Sequence, residues 1–421
     1  MLLTRARHTA TLLTALALSA PALAGEGSNK PGVPYEEAEK PARWTPWATP
    51  TAQIQTWFTA WDQDQDPKAD SGGYGDPELD TGFNIERARL GLKGGYKVVD
   101  FAIRFGAASP YDTLSSKRSP VELVDAWGRL TFDTKGGTTR LTLGQHDVGF
   151  SREASISSND LIFQERAVST EWLSPVRELG ASVSHDWKWL GARVGVFNGG
   201  GNLFGNNDNG VMLAARLEGH VGGDTYRTNA SSPAFGIGGS FIYETSQAEV
   251  TQRAEVDMLG RIVGLNLLVE GEWEQIDPKG DPTYLPPSVP NKTVRMGGLV
   301  QLSYYKELPL GAIEPAVRMS YYDDAKHLKD NGDVGILHGG VTWREPVPFV
   351  DLGAGYIHRF EFQGADLQND SVRVWAGIKY PSRRFAPLNL VDVFRRMGEK
   401  PLSGPGGDDD APGGHGGKHK K

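Results

Sequence analysis

From about Thr51 to Tyr380 the chain repeats one local pattern, in which apolar and polar side chains alternate over stretches of about ten to fourteen residues. In Phe101–Phe105 the large apolar residues share one face and Arg104 takes the other. In Leu190–Phe197, Ala192, Val194 and Val196 oppose Arg193. Near the end, Val372, Val374, Ala376, Ile378 and Tyr380 oppose Ser371, Arg373 and Lys379. A period of two sets one row of side chains against an apolar medium and the other against water. The pattern predicts sixteen strands, near 51–64, 83–93, 98–107, 121–132, 138–147, 178–187, 190–198, 210–219, 234–245, 249–258, 262–275, 293–305, 312–323, 333–344, 349–362 and 370–380. Strands of soluble sheets run to about 5–6 residues, whereas a tilted strand that crosses a bilayer needs roughly 9–11. The expected fold is therefore all-β, a transmembrane antiparallel up-and-down β-barrel of about 16 strands whose apolar row meets membrane lipid.

The connections alternate in length. With the first strand rising from the periplasm, the outer connections Asp66–Thr81, Ala108–Pro120, Val148–Arg177 and Gly199–Asn209 are long. The inner ones, Gly94–Lys97, Asp133–Gly137 and Lys188–Trp189, are short. Leu259–Arg261, Lys306–Gly311 and Glu345–Pro348 continue the short set, and Ile276–Lys292 and Asp324–Gly332 the long set. Short periplasmic turns and longer extracellular loops belong to outer-membrane barrels. Two connections disobey. His220–Pro233 is long where a turn is expected, and Ser246–Ala248 is short where a loop is expected, so either a strand break is hidden there or the barrel makes one periplasmic excursion. Trp61, Trp187, Trp189, Trp273, Trp343 and Tyr380 fall toward strand ends, as interfacial girdles do, while Trp57, Trp127 and Trp375 fall nearer mid-strand. A soluble secreted β-sandwich or β-helix also alternates, but has no need of such long strands or of terminal aromatics.

The N-terminus sets the compartment. Arg5 and Arg7 precede an apolar stretch at Thr11–Leu18, and Ala22-Leu23-Ala24 stands before Gly25. This is the form of a secretory signal peptide cleaved near Ala24. The apolar run is shorter than the ~20 residues an anchoring helix requires. The sequence contains no cysteine, so neither disulfides nor thiolate metal sites are available. Mean hydropathy is −0.40, which is compatible with a barrel because only alternate residues meet lipid. The formal charge of −8 becomes more negative once Arg5 and Arg7 leave, which argues against a nucleic-acid partner. There is no Gly-x-Ser-x-Gly elbow and no His-Glu-x-x-His helix, and the histidines are scattered. No catalytic residues, metal or cofactor are expected, and His146, His185 and His358 read as single polar residues in strands.

The chemistry then lies in charge. On the water-facing row the alternation places Arg87, Arg89, Arg104, Arg129, Arg140, Arg193, Arg216, Arg295, Arg318, Arg373 and Lys379. A planar guanidinium donates paired hydrogen bonds to phosphate or carboxylate oxygens, and rows of such cations in a pore favour small anionic solutes. The same alternation puts Asp125, Glu218, Glu255, Asp257, Glu270 and Glu272 inward too. The acidic row Glu270, Glu272 and Glu274 weighs against uniform anion selectivity.

At Phe83–Gly94 (FNIERARLGLKG) and Leu141–Leu161 (LTLGQHDVGFSREASISSNDL), with Phe163-Gln-Glu165-Arg166 following, the sequence resembles the phosphate-selective porin O and P family. Gly180 and Gly195–Gly199 add to the likeness, which covers about Phe83–Leu217. The resemblance implies a sixteen-stranded porin, a homotrimer, with its third outer loop folded into the lumen. It assigns Arg87 and Arg89 to the pore wall and Arg152 and Arg166 to the constriction loop. The other reading is a structural or adhesive outer-membrane barrel, its lumen plugged, that binds a partner through loops or tail.

The expected organisation is a signal peptide (1–24), a periplasmic N-terminal segment (25–50), the barrel (51–380) and a C-terminal extension (381–421). Tyr380 supplies the closing aromatic that the barrel assembly machinery reads. Beyond it, Phe385, Leu388, Val391 and Phe394 suggest a short amphipathic helix, and Gly398–Lys421 is low-complexity and expected to be disordered. His415 and His419 belong to that solvated tail.

Overall fold

A computed structural model describes residues 45–61, 82–107, 121–200, 206, 209–279, 292–328, 333–362, 370–381 and 389–392. Its strands in chain order are β1 (Trp47–Trp61), β2 (Gly82–Tyr96), β3 (Val99–Ala107), β4 (Val121–Thr134), β5 (Gly137–Asp147), β6 (Arg177–Asp186), β7 (Leu190–Phe197), β8 (Val211–Gly222) and β9 (Ala234–Thr245). They continue with β10 (Glu249–Ile262), β11 (Leu265–Pro278), β12 (Thr293–Tyr304), its two-residue continuation β13 (Lys306–Glu307), β14 (Ala312–Asp323), β15 (Val334–Val347), β16 (Val350–Glu361) and β17 (Ser371–Tyr380). Neighbours in the chain pair antiparallel, and β1 pairs with both β2 and β17, so the sheet closes on itself. With β13 counted as part of β12, the wall is a sixteen-stranded up-and-down barrel. Closure leaves no unpaired strand edge, which is the condition for crossing hydrocarbon with a sheet.

Burial is inverted relative to a soluble protein. In β3, Asp100, Ala102 and Arg104 are buried while Phe101, Ile103 and Phe105 are exposed on the outer face. The outward apolar row is the lipid face and the inward polar row is the lumen.

Three details of the sequence reading are decided here. The first strand begins at Trp47, ahead of the expected Thr51. The β10–β11 hairpin turns at Val263–Gly264, not at Leu259–Arg261. Leu259 is fully buried inside the barrel, and alternation runs on through Gly260, which has open space outside, to the buried Arg261. Val263 and Gly264 both have positive φ (49° and 82°), as a type I′ turn demands. Finally, β8 and β9 pair continuously from Val211↔Thr245 to Gly222↔Ala234, so no strand is hidden between them. Residues 223–233 are an excursion from the turn end of the barrel, and Ser246 closes a tight turn at the loop end through its amide to the Glu249 carbonyl (2.9 Å).

The long connection 148–176 between β5 and β6 folds into the lumen and makes the apolar core of the molecule. It contains α1 (Arg152–Ser155) and α2 (Val168–Leu173). Val148 and Phe150 pack with Phe197, Met212 and Ile242; Ile156, Leu161 and Ala167 with Leu259, Leu268 and Leu299. Val168 and Leu173 pack with Tyr322, Val334, Ile336 and Ile357, and Ile162 and Phe163 with Trp57 and Trp375. The loop thus covers the wall from the loop ends of β7 and β8 round to β1 and leaves open space along β3–β8. The leader, the outer connections 66–81 and 108–120, and the tail with His415 and His419 lie outside the described residues. Of the expected amphipathic segment, 389–392 is described, and the Ala48 amide donates to Asn389 Oδ1 (3.0 Å).

Candidate functional site

A loop held across a pore needs polar anchors, because its backbone polar groups are costly to bury unpartnered. The acidic row of β10 and β11 supplies them. Ser151 caps α1, its hydroxyl accepting from the Ala154 amide (3.1 Å) and donating to Glu270. The Glu153 amide donates to Glu270 Oε2 (3.0 Å), and Ser174 Oγ to Glu272 Oε1 (2.7 Å). Arg152, fully buried, donates to Asp257 Oδ1 (2.5 Å) and Glu218 Oε2 (3.4 Å). Asp257 and Glu255 are also bound by Arg216.

On the opposite side wall arginines grip the loop. Arg318 reaches Glu153 Oε1 (3.0 Å) and the carbonyls of Glu165 and Arg166 (both 3.2 Å). Arg373 donates to Glu165 Oε2 (2.5 Å) and lies over the Trp57 ring (4.3 Å). Arg87 donates to the Gln164 carbonyl and to Gln55 Oε1 (3.1 Å), and Arg89 to Ser158 Oγ (3.2 Å). Phe163 stacks on His338 with ring centroids 3.6 Å apart. Burial alone would raise the Glu165 carboxyl, but Arg373, His338 and Arg318 together hold it well below the usual carboxylate range. It is therefore an anion at neutral pH.

What the loop leaves is a cavity of about 170 Å³ along β3–β8. Arg104, Arg129, Arg140, Arg177, Arg193 and Arg216 line it from the wall and Arg166 from the loop, against four acids, Asp125, Asp147, Asp186 and Glu218. Asp125 is shared by Arg104 and Arg177 (2.8 Å), Asp186 binds Arg140, and Asp147 binds Arg193 (3.1 Å). Arg129 donates to Thr142 Oγ1 (3.0 Å) and lies over the Trp127 ring (4.4 Å). Burial, helped by Arg87, lowers Arg166 to about 10, so it remains a cation at pH 7. Ser155, Ser157, Ser158, Ser182 and Ser184 add hydroxyls to the same surface.

The expected residues therefore separate. Arg104, Arg129, Arg140, Arg193 and Arg166 line the cavity. Arg87, Arg89, Arg152, Arg318 and Arg373 hold the loop instead, and Arg295 sits beside Glu274 (3.3 Å) on β11 and β12. Sequence reading passed over Arg177, which begins β6, and Tyr226, within the 223–233 excursion. Its position immediately before a strand that alternation already marked, 178–187, was the available signal for Arg177. Nothing local pointed to Tyr226.

A closed wall with an apolar outside, a charged inside and a loop folded across the lumen defines an outer-membrane channel of the porin type. Residues 59–261 match the family model for phosphate-selective porin O and P. Among solved structures, it is similar to the outer membrane channel DcaP of Acinetobacter baumannii (15% identity, TM-score 0.50, 80% of this chain and 97% of that one). It is also similar to OprB of Pseudomonas putida (9% identity, TM-score 0.50, 79% and 93%). At these identities the likeness is one of fold. No curated protein matches the chain in sequence.

Proposed function

We propose that the chain is a passive diffusion channel that favours small anions. The observation that supports this reading is the segregation of charge: seven arginines face four acids along the open passage, while Glu255, Asp257, Glu270 and Glu272 lie beneath the third loop or in its anchors. Fixed cations in a narrow pore lower the energy of an entering anion and raise that of a cation, and several moderate sites in series let the solute leave. Phosphate as the natural solute rests on the family description alone. A homotrimer follows from the same resemblance, and Tyr380 at the end of β17 fits a closing aromatic for the assembly machinery.

Reversal potentials of single channels in asymmetric KCl test the proposal. Chloride is expected to be the more permeant ion. Equal or greater potassium permeability would overturn the anion preference, and absence of any conductance would favour a plugged structural barrel.

A further inference from the structure

The β8–β9 connection is long at the end of the barrel where the other described connections are short, and its residues turn inward. Thr225, Thr228 and Asn229 are buried. The segment is tied to the wall by Arg261, which donates to the carbonyls of Ser232 (2.5 Å), Asp224 (3.0 Å) and Arg227. It presses on β9 at Gly236, where a Cβ would stand 2.9 Å from Thr225. It also meets the third loop, which comes from the other end. Arg152 donates to the Thr225 carbonyl (3.1 Å) and lies over the Tyr226 ring (4.9 Å), and Asn229 Nδ2 donates to Asp160 Oδ1 (2.9 Å). The Tyr226 hydroxyl donates to Glu218 and accepts from Arg216 Nε (3.2 Å), and the residue lines the open cavity.

We propose that residues 223–233 form a second constriction element, docked on the third loop through Arg152 and Asn229, and that Tyr226 is a specificity-determining residue on the rim of the passage. The two elements close the lumen from opposite ends and confine solutes to the β3–β8 wall. Together with Arg152 and Arg216, the Tyr226 hydroxyl holds the Glu218 carboxylate against the wall, which limits how much this acid opposes an entering anion. This rests on the channel reading and extends it to a segment on the turn side.

The absence of cysteine makes the test direct. In Tyr226→Cys, checked for an intact barrel by heat-modifiable electrophoretic mobility, a methanethiosulfonate reagent bearing a sulfonate is applied to single channels. Labelling is expected to lower conductance in steps and move the reversal potential toward cation preference. In a second variant, residues 224–232 are replaced by Asn-Gly; conductance is expected to rise on the order of twofold, since pore width limits flow. A thiol that resists the reagent, or one that reacts without changing conductance, overturns the proposal, as does a folded Asn-Gly variant with unaltered conductance. A wild-type protein that conducts nothing would sink the channel reading itself, which these outcomes leave distinct.

Discussion

Two arginines on inward positions of the same barrel wall can have opposite employment. Arg129 and Arg193 face the passage, whereas Arg87 donates to the Gln164 carbonyl beneath the third loop. Alternation makes both kinds inward, and it says nothing of what lies further in. Paired replacement Arg129→Gln with Arg193→Gln is expected to move the reversal potential toward zero, while Arg87→Gln shifts it less and disturbs the loop. A larger loss of anion bias from Arg87→Gln, measured by the same recordings, would contradict this division. Arg152 shows the energetic side. Removing one partner of a buried ion pair costs about 3–5 kcal/mol, so a fully buried Arg152 between Asp257 and Glu218 makes the third loop a fixed part of the wall.

Among the elements, the 223–233 excursion is expected to respond to protons through Asp224. Burial pushes the Asp224 carboxyl up to about 6, with Asp160 adding to the rise, and the Tyr226 amide (2.8 Å), Arg227 and Arg261 opposing it. The ordinary carboxyl value is about 3.9, so between roughly pH 4 and 6 the folded segment holds a proton that the unfolded one has lost. Its stability is fullest below that window and declines as pH rises through it, then levels off. Amides of the segment are expected to exchange with solvent more readily at pH 7 than at pH 5, after correction for intrinsic rates. Asp224→Asn should abolish the difference; equal protection at both pH values in the wild type would dispose of the idea. The β10–β11 hairpin teaches a different point. The turn expected at Leu259–Arg261 falls inside a continuing strand, where Gly260 is an outward position.

At the scale of the whole molecule, stability depends on two media. The outer face must match hydrocarbon, and Val194, near the middle of β7 and 58% exposed, belongs to it. Val194→Arg is expected to cost about 2–4 kcal/mol, the depth-dependent penalty for a cation on the lipid face. Denaturant titration of the refolded barrel in lipid vesicles would measure it, and a change near zero would mean that this face does not meet lipid. The inner face has the contrary need. Its buried charges are tolerable because almost every one named above meets an opposite charge or a carbonyl oxygen across the lumen.

The sequence by itself determined the closed wall, the inward and outward rows, most strand limits and the loop lengths, because a period of two and a bilayer's thickness are local constraints read directly along the chain. It also marked the excursion at His220–Pro233 as anomalous without saying where it goes. Only the tertiary structure decided which inward charges border the open cavity and which lie against the third loop. The acidic row on β10 and β11, which by alternation alone opposed anion preference, lies against a loop more than ninety residues away in sequence; Ser151 and Glu270 are 119 apart and Ser174 and Glu272 are 98 apart. No local pattern encodes that pairing, because it depends on how a loop from β5 crosses the barrel to the far wall.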